Sequence, residues 1–216
     1  MAINATNQSK PRELIPAGNQ VARCYQMIHI GHVTDKIQGE EKTLNKVRIG
    51  WELPNELRVF NTDLGEQPMV ISKEFTLSMN EKANLRRMLE SWRGKAFTEE
   101  QAKSFDIVAL LGVPCMLNII HKVSEKNGNT YAEISSVTQL PKGLECPLQV
   151  NPTMVWDYDN PDWMFFEIMP EFIKEKIQSS TEYKALQEAV AAAQKQPQSE
   201  PDFPPFEMVP QDEMPF

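Results

Sequence analysis

Apolar and polar residues alternate in five separate stretches of the chain, which is typical of half-buried strands. The alternation predicts strands at 20–33, 44–53, 69–79, 113–123 and 129–138. In the second stretch Val47, Ile49 and Trp51 share one face, so we expect Trp51 in the core. Pro54 is expected to end this strand because proline cannot donate to a ladder.

The first stretch, QVARCYQMIHIGHV (20–33), divides into two faces by strict alternation. One face carries Ala22, Cys24, Ile28 and Ile30, and the other carries Val21, Arg23, Tyr25, Met27 and His29. His29 and His32 are three residues apart in a strand, so they point to opposite faces and do not form a chelating pair.

Helical periodicity follows the third strand. Ser78-x-x-Glu81 has the form of a capping box and predicts a helix over 81–93 that ends at Gly94. Thr98-x-x-Gln101 opens a short second helix. After Pro141 the chain becomes proline-broken and acidic, and helices are predicted at 170–178 and 179–195.

The resulting order, β-β-β-α-β-β, is that of an OB-fold, a five-stranded, partly open barrel that binds oligonucleotides. The fold class is therefore mainly β with α additions: an OB-type barrel with a helical insert, C-terminal helices and a disordered acidic tail. The predicted units are a flexible arm (1–19), an OB domain (20–143), an acidic connector with helices (144–195) and the tail (196–216).

The net charge of −8 is unevenly distributed. Residues 20–143 carry 16 bases and 15 acids, whereas residues 145–195 carry nine acids and four bases. The last 21 residues carry five acids and no Lys or Arg. Acidity averaged over the chain therefore does not exclude nucleic-acid binding by the near-neutral body.

Sequence motifs of catalysis are absent: there is no Walker A loop, G-x-G-x-x-G, H-E-x-x-H or G-x-S-x-G. We predict no catalytic residue, no cofactor and no metal. The acidic run at 157–162 is the best cation candidate, but it lacks the glycine of an EF-hand loop and is interpreted as a surface loop. Three scattered cysteines (Cys24, Cys115 and Cys146), no signal peptide and no membrane span indicate a cytoplasmic protein.

Cations interleaved with aromatic residues suggest a single-stranded nucleic-acid site, because cations hold phosphates and aromatic rings stack on bases. The candidates are Arg23, Tyr25, Lys46, Arg48, Lys73, Phe75, Trp92, Arg93, Lys95 and Tyr131. A solvated sheet face would also carry Lys46 and Arg48, and Phe75 is equally compatible with the core.

The C-terminus contains the pattern D-x-x-P-F twice, at 202–206 and 212–216. Phe216 bears the terminal carboxylate, so a basic pocket in a partner could hold the carboxylate while an apolar hole takes the ring. The candidate partner-binding residues are Asp212, Glu213, Met214, Pro215 and Phe216.

The tip DEMPF, together with the stretches IPAGNQVARCYQMIHIGHV, VRIGWELP, VISKEFTLSM and LESWRGKAFTEE, resembles bacterial and phage single-stranded DNA-binding proteins. The resemblance implies a non-catalytic protein of the bacterial (host) cytoplasm that sequesters single-stranded DNA in replication, recombination or repair. It also implies a tip that recruits replication and recombination proteins, and a possible homo-oligomer. Alternatives are an OB-like protein–protein adaptor without DNA binding and, ranked lower, a small metal-dependent DNA-processing enzyme using the 157–162 acids.

Overall fold

The computed structural model describes residues 13–37, 39–125 and 127–195. Its strands are β1 (Gly18–Ile37), β2 (Glu40–Asn61), β3 (Gly65–Thr76), β4 (Pro114–Val123), β5 (Thr130–Thr138) and β6 (Met154–Trp156). Its α-helices are α1 (Asn84–Arg93), α2 (Glu99–Ser104), α3 (Trp163–Ile168), α4 (Glu171–Ser179) and α5 (Thr181–Lys195), and a 3-10 turn lies at Ile107–Leu110.

Five strands form a curled antiparallel sheet in the order β3-β2-β1-β4-β5, and β6 pairs in parallel with β1. The two outer strands, β3 and β5, curve towards each other, and the Lys73 ammonium donates to the Ile134 carbonyl across the gap at 2.5 Å. The mainly β class, the five long strands and the helix between the third and fourth strands are therefore as the sequence predicts.

One face of the sheet packs on α1 and forms the first core. The alternating β2 residues Val47, Ile49 and Trp51 are at most 1% exposed, which confirms the prediction for Trp51. Leu85 and Leu89 of α1 complete this core from the helix side. Gly94 ends α1 in the left-handed conformation, as predicted (φ 65°).

Strict alternation is wrong for β1, because a bulge changes the phase of the strand. Pairing with β2 runs from Cys24↔Trp51 directly to Gln26↔Gly50, so Tyr25 is an extra residue. An extra residue reverses which side the following side chains face. Cys24 and Met27 therefore both belong to the first core, while Ile28 lies on the other face.

The face of β1 beyond the bulge supports a second core built by the C-terminal part of the chain. Ile28 and Ile30 pack there against residues of β6, α3, α4 and α5. The large buried members on the C-terminal side are Trp156, Phe165, Phe166, Met169, Ile173, Ile177 and Tyr183. The segment predicted as a connector with helices therefore covers one face of the sheet.

Three local predictions need correction. Pro54 does not end β2, because it lies in the irregular stretch between the pairs Leu53↔Met69 and Leu57↔Pro68, where proline is tolerated. Ser78 does not cap α1, whose N-cap is Ala83 without a side-chain bond. The arm does not extend to residue 19, since Ile15 is 6% exposed and its carbonyl contacts the His121 imidazole at 2.8 Å.

Among the helices of the described ranges, none combines the length and apolar character needed to cross a membrane.

Candidate nucleic-acid interface

A cleft of about 900 Å³ lies where β3, β5 and the start of α1 meet. Four cations line it: Lys46, Lys73, Lys82 and Arg87. Hydroxyl and amide side chains surround them, namely Thr76, Ser78, Asn80, Asn84, Ser91, Ser135 and Ser136. Among the described residues, Glu74 is the only acid in the lining. Cations with neutral hydrogen-bonding groups are what a phosphate backbone requires.

The loop before α1 contributes Lys82 to the lining of this cleft. The Asn80 side chain accepts from the Lys82 backbone N–H at 3.1 Å, and the Asn80 carbonyl accepts from the Ala83 N–H at 2.8 Å. Such side-chain-to-backbone bonds define an Asx turn, which orders a loop locally. Lys82 is exposed and forms no ion pair within the described residues.

Arg87 reaches the same cleft from α1, whose orientation depends on its neighbour Arg86. The Arg86 guanidinium is 5% exposed and binds the carboxylates of Glu90 and Glu99 at 3.0–3.1 Å. It also donates to the carbonyls of Met79 and Phe97, each at 3.1 Å. Buried Arg86 therefore serves structure, while exposed Arg87 is available to a ligand.

The two strand lysines of the cleft are already engaged within the protein. Lys73 bonds the Ile134 carbonyl and so bridges the two outer strands. Lys46 pairs with Asp35, and burial, followed by the charge of Lys176, lowers the pKa of its ammonium.

Arg23 and Tyr25 were predicted to meet DNA, but Arg23 is bound to backbone carbonyls and Tyr25 is buried. The Arg23 guanidinium donates to the carbonyls of Gly112 (2.6 Å), Cys146 (3.1 Å) and Pro147 (2.9 Å). Tyr25 is 7% exposed, and burial raises the pKa of its hydroxyl to about 12. Arg23 thus holds the connector by hydrogen bonds to its backbone, and the Tyr25 ring has no face open to a base.

Arg48 also makes its contacts within the protein. Its guanidinium binds Glu74 at 3.1 Å and lies 5.4 Å from the centre of the Phe172 ring of α4. Sequence alternation correctly separated Arg48 from the core residues Val47 and Ile49, but its expected exposure is wrong, because the side chain is only 19% exposed and Phe172 of α4 lies beside it.

Trp92 and Phe75 must also be removed from the stacking candidates. Trp92 is 3% exposed, and its indole N–H donates to the Pro114 carbonyl at 3.1 Å. Phe75 is 7% exposed and belongs to the first core. Buried rings of this kind supply core packing and cannot present a face to a base.

The other three predicted residues lie outside the cleft lining. The Arg93 guanidinium sits over the Phe97 ring at 4.2 Å, while Lys95 is exposed beyond the end of α1. Tyr131 is 42% exposed at the start of β5, paired with Lys122 of β4. Its ring is open to solvent and remains a stacking candidate.

Sequence reasoning missed Lys82, Arg87 and the serines of β5. The available signal was the run SMNEKANLRR (78–87), in which polar and basic residues sit where a strand passes into a helix. Their convergence with Ser135 and Ser136 depends on the curling of the sheet, which brings β5 next to β3.

The residues considered for metal chemistry have structural roles. Asp157 accepts from the N–H groups of Asp159 (2.9 Å) and Asn160 (2.7 Å), and Asp162 caps α3 through the Phe165 N–H (2.9 Å). In the described ranges, no group of three His, Cys, Asp or Glu side chains is placed to hold a metal ion. Burial raises the pKa of the Cys24 thiol to about 12, which makes it a poor nucleophile.

No protein-family model matches the chain, and no curated protein sequence matches it. The predicted partner-binding tip, Asp212 to Phe216, lies outside the described residues.

Proposed function

We propose that this protein binds single-stranded DNA without sequence preference, through the cleft between β3, β5 and α1. The observation that carries the proposal is the lining itself: four cations against one acid in a chain whose net charge is −8. Supporting it, the strand order and the approach of β3 to β5 suit an OB-type barrel, which binds oligonucleotides.

In this proposal phosphate contacts supply most of the affinity. Among the described residues of the lining, Phe75 is the only aromatic, and it is buried. Stacking, worth about 1–3 kcal/mol per base where it occurs, is therefore left to rings outside the cleft such as Tyr131. Binding should accordingly weaken steeply as salt is raised.

The test is titration of a fluorescently labelled oligo-dT between about 50 and 200 mM salt. In the Lys82→Gln/Arg87→Gln double variant, the slope of log affinity against log salt should become shallower by about 1.4, at about 0.7 per lost phosphate contact. The matched control is Lys142→Gln/Lys184→Gln, which removes the same charge from exposed lysines outside the lining.

Absence of binding by the wild-type chain at the lowest salt would reject the DNA function and favour the adaptor. Equal slopes in the two double variants would place the site elsewhere. For the recruitment role that the tip suggests, deleting Pro215 and Phe216 should leave oligo-dT affinity unchanged while abolishing capture of replication proteins.

A further inference from the structure

Glu74 is the acid that a phosphate backbone would meet in the cleft, and both of its carboxylate oxygens are occupied by cations. The Arg48 guanidinium binds one oxygen at 3.1 Å, and the Lys176 ammonium binds the other at 2.8 Å. Glu74 is mostly buried, with 21% of its side chain exposed. Burial would raise the pKa of this carboxyl, but Lys176, Arg48 and Lys46 together lower it, so Glu74 is ionised at neutral pH.

Lys176 comes from α4, in the part of the chain that carries an excess of acids. Ile173 and Ile177 are 3% and 0% exposed in the second core, and they fix one side of the helix against the sheet. Phe172 and Lys176 are one turn apart and extend together towards β2 and β3. The helix is therefore anchored by its apolar residues independently of the ion pair.

We propose that Lys176 is a positioning residue of the single-stranded DNA site: it holds Glu74 and offsets its charge, so that Glu74 subtracts little from the positive charge that the cleft presents to phosphates. The inference rests on the proposed function. In this inference α4 contributes to the DNA-binding site, although the sequence predicted an acidic connector for that region. The Lys176 side chain is 40% exposed, so it is only partly covered by the rest of the protein.

The experiment measures oligo-dT affinity at about 50 mM salt for Lys176→Met, Glu74→Gln and the double variant. Near a protein surface one uncompensated charge several ångström from a phosphate changes affinity by roughly three- to tenfold. Lys176→Met should weaken binding by about that factor, Glu74→Gln should tighten it by a similar factor, and the double variant should bind at least as tightly as wild type. Lys174→Met, which removes the same charge from the same helix, should stay within about twofold of wild type.

Thermal denaturation of each variant separates this role from a purely structural one. A purely structural ion pair would lower the melting temperature in both single variants and leave the affinity of the folded protein unchanged. Such a result overturns the inference, as does a double variant that binds as weakly as Lys176→Met. If Lys176→Met fails to fold, the Glu74→Gln variant alone tests the inference, which requires that its affinity for oligo-dT be higher than that of wild type. If the wild-type protein does not bind oligo-dT, the proposed function itself is wrong. If the wild-type protein binds and Glu74→Gln binds equally well, only the inference about Lys176 is wrong.

Discussion

Replacing Glu52 by glutamine should destabilise the protein strongly, although the two side chains have nearly the same shape. Glu52 is 0% exposed in β2 and accepts three hydrogen bonds from the connector. One carboxylate oxygen accepts from the Val150 N–H at 2.9 Å, and the other accepts from the Asn151 N–H and side-chain amide, each at 2.8 Å. Every group facing this carboxylate in the described contacts is thus a donor.

A glutamine has one acceptor oxygen and one NH₂ donor, so either orientation sets its NH₂ against an N–H group. The better orientation keeps both Asn151 bonds and loses the Val150 bond. Hydrogen bonds to charged groups contribute about 1.5–3 kcal/mol each, against about 0.5–1.5 kcal/mol for neutral ones. The loss of one bond and weakening of two lead us to expect a decrease of about 2–4 kcal/mol in unfolding free energy.

The assay is thermal unfolding, in which about 1 kcal/mol corresponds to roughly 2–4 °C for a chain of this size. Glu52→Gln should therefore melt roughly 4–16 °C below wild type. Glu66→Gln is the control, since Glu66 is exposed and its side chain forms no hydrogen bond in the described part of the chain. Equal melting temperatures for the two variants would refute the three-donor account of Glu52.

Two further predictions follow from the site description. Trp92→Phe should lower the free energy of unfolding by about 1.5–3 kcal/mol, because it loses the hydrogen bond to the Pro114 carbonyl and some packing. Its affinity for oligo-dT should stay within about twofold of wild type. A large loss of affinity at unchanged stability would mean that Trp92 stacks on a base. For Glu182, partial burial would raise the carboxyl pKa, but bonds from the His32 side chain and backbone outweigh it and lower the pKa to about 2. The stability advantage of wild type over Glu182→Gln should therefore be present above pH 4.5 and be lost as the pH falls through about 2. Stability measurements across this pH range that gave a constant advantage would contradict this pKa.

The five strands and α1 were predictable because each buries one face and so has a strong period. The bulge at Tyr25 was not, since the residues around it, RCYQMI, do not show where the backbone inserts one residue and changes the phase of the strand. For the same reason, Met27 was assigned to the wrong face. The short strand β6 and helix α3 lie in an acidic, proline-containing part of the sequence, and elements of three to six residues are too short to show a period.

Of the residues predicted to meet DNA, only a few lie in the lining of the candidate cleft. Cations and aromatics were expected on the sheet, and Lys46 and Lys73 do line the cleft. Exposure, however, depends on tertiary packing: the connector carbonyls bind Arg23, α4 places Phe172 beside Arg48, and Tyr25 is buried. Alternation identifies two faces of a strand, but only the tertiary packing decides which one stays open.

Net charge is likewise a poor guide to this cleft, because charges act over short distances in salt. At physiological ionic strength the Debye length is about 8 Å, so exposed acids far from the cleft contribute little to the potential at a bound phosphate. The cleft lining carries four cations against Glu74; Asp35 offsets the charge of Lys46, and Arg48 and Lys176 offset that of Glu74. The salt dependence of binding should therefore count cleft cations, giving a slope no steeper than about −3 for four contacts to a single strand. A much steeper slope would require cations outside the cleft, and a slope near zero would mean that these four do not contact phosphate.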